Sequence, residues 1–308
     1  MHLIDRSRIE TRLNCRQKRF WQYDFLGQGI TPEADAKHTQ FGQNLHSALS
    51  RLLRSGGNMR EVTFWLSGLP VGIEGFWLLS LLVRGWARER LPQVLAEYEV
   101  VETEQERRVK LSDDLTLALR RDALLRRKKD GMLLVLDFKT LTSYTESWEL
   151  ILENSLQTVL YTWGTEMLNN QERSLGVQYE GLVRGKLMQD GWSSPLVWIY
   201  KNAEGNEFLP TYTARKGWTK VRPWFYMDLE QHERFLMEHG MFEKVFQTVV
   251  PRRPLPFVMN EVVQQVTDNE TLYHAFLSAP EGEKVRFLEK NLGHCFKYGT
   301  KYPCPFYG

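Results

Sequence analysis

Asp137 and Lys139 stand two apart near the end of MLLVLDFKT, residues 132–140. A continuous apolar run ended by charge is the pattern of a strand buried on both faces. Residues two apart on a strand leave on the same face. Lys129-Asp130-Gly131 comes just before, and Asp-Gly is a hairpin signal. A hairpin puts Asp122, from LRRDALLRR, on the neighbouring strand, so two carboxylates and an ammonium can meet at one point. Close carboxylates repel unless a cation lies between them. Hard oxygen donors suit Mg²⁺ or Mn²⁺, which keep waters and take up phosphate oxygens. A lysine beside them can orient or help deprotonate an attacking water, or stabilise charge building on phosphorus. This is equipment for hydrolysing a phosphodiester. Asp-x-Lys alone is also a common solvated strand end, so the weight falls on residues elsewhere in the chain.

Several elements must position these groups. Residues 39–54 have the spacing of an amphipathic helix with Leu45, Leu49, Leu52 and Leu53 inward, and His46 lies at the edge of that apolar face. A helix over about 145–168 follows the Lys139 strand, and Gln157 and Tyr161 share one of its faces at i and i+4. Helices are also predicted over 7–26, from a Ser7 cap, over about 75–96, over 222–247 and over 282–291. Residues 97–110, 175–186 and 195–200 read as extended. The order predicts an α/β fold: a central mixed β-sheet flanked by helices, with helical additions at the N- and C-terminal ends.

Taken in order, these residues resemble the PD-(D/E)XK nuclease superfamily, in particular its RecB-like branch of recombination, CRISPR-associated and phage exonucleases. That pattern is a histidine on an N-terminal helix, an Asp after a glycine-containing strand, an (Asp/Glu)-x-Lys strand and a Gln-x-x-x-Tyr helix. Here it is met by His46, Asp122, Asp137-Phe138-Lys139 and Gln157-x-x-x-Tyr161. The resemblance covers roughly residues 40–165 and implies a restriction-endonuclease-like core. It implies metal ligation by His46, Asp122, Asp137 and the Phe138 carbonyl. It gives Lys139 to the attacking water, and Gln157 and Tyr161 to DNA or to organising the site. An acidic residue ahead of the Asp strand also belongs to the pattern; Glu104 is the better match and Glu102 the weaker. One departure is Leu119, where the family often has glycine.

Relatives in that branch often carry one N-terminal and three C-terminal cysteines that bind a [4Fe-4S] cluster. This chain has three cysteines, Cys15, Cys295 and Cys304, one short of the usual set. Tyr298 occupies the middle position of the C-terminal spacing. A fourth cysteine beyond Gly308, a zinc site completed by His294, and three free buried thiols all remain open. Each reading brings Cys15 near the C-terminal segment.

Lys and Arg total 40 against 38 Asp and Glu, so only local charge can point to a polyanion. Three basic clusters stand out. The first is Arg12, Arg16, Lys18 and Arg19. The second, Arg120, Arg121, Arg126, Arg127, Lys128 and Lys129, is expected beside Asp122. The third is Arg215, Lys216, Lys220 and Arg222, interleaved with Trp218, Trp224, Phe225 and Tyr226. Cations neutralise phosphates and rings stack on unpaired bases. The second cluster supplies the expected DNA contacts.

No phosphate-binding glycine loop, dinucleotide fingerprint, nucleophile elbow or HExxH zinc motif appears. An ATP motor would have to come from a separate helicase or recombination partner. Three cysteines are too few for a disulfide scaffold, and the start of the chain has no signal-peptide pattern. The longest apolar stretch is too broken to span a membrane. A cytoplasmic protein is expected, with one nuclease domain over 1–308 and a catalytic core at about 40–200. The 7–26 helix and the 250–308 segment would close over that core. The expected activity is a Mg²⁺- or Mn²⁺-dependent deoxyribonuclease, acting from ends in DNA processing, recombination or repair. The alternative is a non-catalytic DNA-end-binding subunit of a recombination complex that keeps the fold.

Overall fold

A computed structural model of the chain describes residues 2–24, 29, 33–145, 147–187, 196–210 and 216–280. The expected 282–291 helix, Cys295, Cys304, His294 and Arg215 lie outside those residues.

The chain opens with strand β1 (His2–Asp5), helix α1 (Arg6–Asn14), a short α2 (Arg16–Arg19) and a π-helical turn (Phe20–Asp24). Asp5, not Ser7, caps α1: its side chain accepts from the Arg8 N–H at 2.9 Å. Four helices follow: α3 (Glu33–Arg54), α4 (Met59–Ser67), α5 (Ile73–Glu89) and α6 (Leu91–Glu97). Leu45, Leu49, Leu52 and Leu53 of α3 are buried, as their spacing requires. Each fully buried leucine contributes about 1.5–3 kcal/mol.

The strands come next: β2 (Tyr98–Thr103), β3 (Glu106–Lys110), β4 (Leu115–Arg120), β5 (Ala123–Arg127) and β6 (Leu133–Tyr144). Helices α7 (Ser147–Glu153) and α8 (Leu156–Leu168) carry the chain back to β7 (Gly176–Leu187). The expected 145–168 helix is therefore two, restarted at Ser155, whose side chain accepts from the Thr158 N–H. Strands β8 (Ile199–Lys201), β9 (Phe208–Pro210) and β10 (Thr219–Val221) make a small separate sheet. The expected 222–247 helix resolves into a 3₁₀ turn (Pro223–Phe225), α9 (Leu229–Glu238), α10 (Phe242–Val245) and strand β11 (Phe246–Val249). The local pattern is overridden at its end because β7 offers an edge on which Phe246 and Val249 are buried. Helix α11 (Pro256–Leu277) closes the described chain.

The main sheet has the order β11-β7-β6-β5-β2, with β6 and β7 parallel and the other neighbours antiparallel. The α7–α8 crossover is what a parallel pair demands. Apolar residues cover both faces. Leu134, Leu136 and Phe138 of β6 join the core with α3 and α5, and Leu133 and Val135 join the core with α1 and α8. The chain is thus an α/β fold with a mixed central sheet between helices. Among the described residues no helix is long and apolar enough to cross a membrane.

Two bends shape the site. Strands β2 and β5 pair in the main sheet, while their continuations β3 and β4 pair in a second sheet, ordered β1-β4-β3. The chain changes sheets at Glu104-Gln105 on one side and Arg121-Asp122 on the other. Glu104 turns the corner with φ +50°, unusual for a residue with a side chain, and its N–H donates to the Asp122 carbonyl at 3.0 Å. Leu119, at the position where the family often has glycine, is buried just before this corner against Gly164 of α8, where any Cβ would overlap its methyl group.

Candidate active site

Asp137 takes the next position on the β6 face already lined by Leu133 and Val135, and it is 3% exposed. Its Oδ1 accepts from Gln157 Nε2 of α8 at 2.7 Å, and its Oδ2 ion-pairs with Lys139 Nζ. Lys139 Nζ also lies 5.4 Å from the Tyr179 ring centroid. Asp122, at the corner, is fixed from two sides. Its Oδ2 accepts from the Phe138 N–H at 2.7 Å, and its Oδ1 meets His46 Nδ1 at 3.1 Å. The expected hairpin, strand face and helix edge therefore bring Asp122, Asp137, Lys139, His46 and Gln157 together. Tyr161 points to the same corner by donating to the Arg120 carbonyl at 2.6 Å.

Helix α3 reads the corner with three residues. His46 meets the Asp122 carboxylate, Ser50 donates to the Asp122 carbonyl at 3.3 Å, and Ser47 donates to Glu104 Oε1 at 3.2 Å. Glu104 is thus held beside the site, while Glu102 is buried in ion pairs with Arg107 and Arg121. Sequence reasoning missed Ser47, Ser50 and Arg6. The Arg6 guanidinium donates to Gln157 Oε1 at 3.0 Å.

The electrostatics are those of a site short of positive charge. Burial pushes the Asp137 carboxyl up; Lys139 pulls it down and Asp122 adds to the rise, and the net direction is upward. Burial pushes the His46 imidazole down, but Asp122, by charge and hydrogen bond, and Asp137 outweigh it and leave its pKa raised. Burial raises the Tyr179 hydroxyl to about 12 and carries that of Tyr161 higher still. Both phenols therefore act as neutral hydrogen-bonding groups at neutral pH.

Among the described residues no three His, Cys, Asp or Glu side chains close into a ready-made metal cage. The acids are instead closed on the imidazole and the ammonium. The donor chemistry nevertheless fits a hard divalent cation. Two carboxylates face a shared corner, and the buried Asp137 Oδ2 has the Lys139 ammonium as its partner, a cation that a metal ion could replace or share. The Phe138 N–H points to Asp122, and a strand residue's carbonyl leaves on the same edge as its N–H. The Lys139 and His46 side chains are partly exposed at this corner, 24% and 25%.

The basic clusters fare differently. Arg120 is exposed, 3.7 Å from Glu104. Arg121 is buried, paired to Glu102 and donating to Thr165 Oγ1 at 2.9 Å. It faces away from solvent and is withdrawn from the expected DNA contacts. The expectation that the hairpin carries Arg126, Arg127 and Lys128 beside Asp122 is also corrected. Asp122 precedes β5 and the turn follows it, so they stand roughly 13–20 Å away along the strand at ~3.3 Å per residue. There Arg127 pairs with Asp130, and Lys128 donates to the Leu95 carbonyl. In the N-terminal cluster Arg12 and Arg19 are buried against Glu270 of α11, at 3.7 and 3.5 Å. In the third cluster Arg222 lies 3.6 Å from the Trp198 ring centroid and 5.1 Å from that of Trp224. Cys15 is buried.

Comparison with known families matches residues 6–225 to the PD-(D/E)XK nuclease superfamily. That span runs from Arg6 through every residue of the corner. No curated protein matches the chain.

Proposed function

The chain belongs to the PD-(D/E)XK nuclease superfamily, and from that premise we propose that it is a divalent-metal-dependent deoxyribonuclease. The observation that carries the reading is the convergence of Asp122, Asp137, His46 and Lys139, from three elements, at one partly exposed corner. Asp122, Asp137, the Phe138 carbonyl and His46 would hold Mg²⁺ or Mn²⁺. The cation, when bound, supplies an activated water and charge neutralisation at the phosphate.

The chain's own groups do the rest. Gln157 fixes the Asp137 carboxylate, and the Phe138 N–H fixes that of Asp122. Both acids are thereby set before substrate arrives. Lys139 has one partner in Asp137 and a partly exposed head. It orients the attacking water and opposes charge building on the phosphate oxygens as the bond to the leaving oxygen breaks. Tyr161 ties α8 to the strand that leads to Asp122. Glu104, held by Ser47, offers a further acid beside the corner. Arg120, exposed beside Glu104, would meet the strand's phosphates.

The RecB-like order of the motifs favours attack from DNA ends, in processing, recombination or repair. A single nuclease domain would span the chain, its core closed over by the N-terminal helices and, from the C-terminal segment, by α11.

The test is Mg²⁺-dependent digestion of labelled single- and double-stranded DNA by wild type and by Asp137→Ala. The expected result is cleavage by wild type in Mg²⁺, none in EDTA, and a loss of at least about 100-fold in the variant. Inert wild type, or equal digestion by both, overturns the reading.

A further inference from the structure

We infer that Arg6 is a positioning residue of the active site, which sets the orientation of the Gln157 amide and through it the Asp137 carboxylate. This rests on the nuclease reading and adds to it a residue from outside the central sheet and its flanking α3 and α8 elements.

The geometry is a relay. Arg6 Nη1 lies 3.0 Å from Gln157 Oε1, and Gln157 Nε2 lies 2.7 Å from Asp137 Oδ1. Gln157 is buried on α8, 3% exposed, so its amide has two orientations to choose between. One places Nε2 against the carboxylate. The flipped one would set two acceptors, Oε1 and Oδ1, against each other. A guanidinium only donates. Arg6 therefore holds the oxygen end of the amide and leaves the nitrogen end for Asp137. A neutral acceptor at the same place would favour the wrong flip.

Arg6 is delivered to this point by the fold. Strand β1 pairs in parallel with β4 over His2–Asp5, Asp5 caps α1, and Ile4 and Ile9 are buried in the core that contains Tyr161 and Tyr179. Arg6 is the first residue of α1 and also pairs with Glu10 one turn on, at 3.4 Å. That pair is a common half-exposed i,i+4 helix contact, worth little. It steadies the side chain but does not explain the reach to α8.

The test uses full-length Arg6→Met, Arg6→Lys, Gln157→Leu and the Arg6→Met/Gln157→Leu double variant. Three readouts are taken: Mn²⁺ affinity by calorimetry, kcat and KM on labelled single-stranded DNA, and thermal unfolding. Groups that orient metal ligands typically contribute about 10–100-fold in metal affinity or activity. Arg6→Met is expected to weaken Mn²⁺ binding and lower kcat by about that factor while KM for DNA stays within about twofold. Arg6→Lys, which keeps a donor, recovers part of the loss. The double variant is no worse than Gln157→Leu alone, because two members of one relay are not additive. Wild-type Mn²⁺ affinity and kcat in Arg6→Met overturn the inference. So does a loss confined to KM, which would make Arg6 a phosphate contact, or a double variant showing the product of the single losses. If wild type neither binds Mn²⁺ nor cleaves, the nuclease reading itself fails and takes this one with it. Active wild type with an unaffected Arg6→Met sinks the inference alone.

Discussion

Asp137→Asn should make the metal-free protein more stable while removing its activity. The substitution keeps the shape of the side chain and deletes its charge. Asp137 is 3% exposed. Burial, reinforced by Asp122, raises its carboxyl pKa against the opposing pull of Lys139 and His46. At neutral pH the fold thus holds a charge it would rather shed. In the variant Gln157 still has an oxygen to donate to. Lys139 loses its partner, but its side chain is 24% exposed and can turn to water, so that loss is at most about 1 kcal/mol. Relief of a buried carboxylate charge, held by Gln157 and one partly exposed ammonium, is worth about 1–3 kcal/mol. The balance favours Asn by about 1 kcal/mol, or roughly 2–4 °C in Tm.

The assay is thermal unfolding of both proteins in EDTA and in Mg²⁺. A ligand at ten times its Kd stabilises by about 1.4 kcal/mol, so Mg²⁺ should raise wild type and leave Asp137→Asn unmoved. The pH dependence has a fixed sign. A carboxyl whose folded pKa lies above its unfolded value weakens the fold most at high pH, and the penalty declines as pH falls from the folded value to the unfolded one. The advantage of the variant should therefore shrink on acidification. A variant less stable than wild type in EDTA, or equal stabilisation of both by Mg²⁺, would refute the reasoning.

Arg121→Met should cost about 3 kcal/mol, because Glu102 is left buried with one partner fewer, yet DNA affinity per folded molecule should not change; Arg120→Ala should show the reverse in urea unfolding and salt-titrated binding. Gly164→Ala should destabilise by about 1–2 kcal/mol, since overpacking against Leu119 outweighs the ~1 kcal/mol helix gain, and adding Leu119→Ala should return part of that loss in the same unfolding assay. His274, stacked on His2 at 3.9 Å, is held down to about 4, chiefly by burial and then by His2. Between that value and 6.5 the unfolded chain binds more protons, so stability should fall with pH by at most about 3 kcal/mol, and His274→Gln should flatten urea midpoints measured from pH 7 to 4.5.

The parts of the site that depend on local periodicity were legible in the sequence. The period of two put Asp137 and Lys139 on one face, and the helical period put His46 on the edge of α3 and Gln157 beside Tyr161. What depends on tertiary placement was not. Arg6 reaches Gln157 only because β1 pairs with β4, and nothing local to HLID marks it as a strand of the β4 sheet. Ser47 and Ser50 acquire partners only through the corner at Glu104 and Asp122. The basic hairpin misled because charge clustering says nothing about which end of a strand faces the site. Helix α11 carried a readable signal, Pro256 at its first turn with Met259, Val263, Val266 and Tyr273 buried on one side.

The most direct measurement is the single-turnover rate of phosphodiester cleavage by Lys139→Ala against wild type, at saturating Mg²⁺ and with DNA binding followed in parallel. The account predicts that wild type cleaves, that the variant still binds DNA, and that its rate is about 10²–10³-fold lower. Cleavage by Lys139→Ala at the wild-type rate would contradict it.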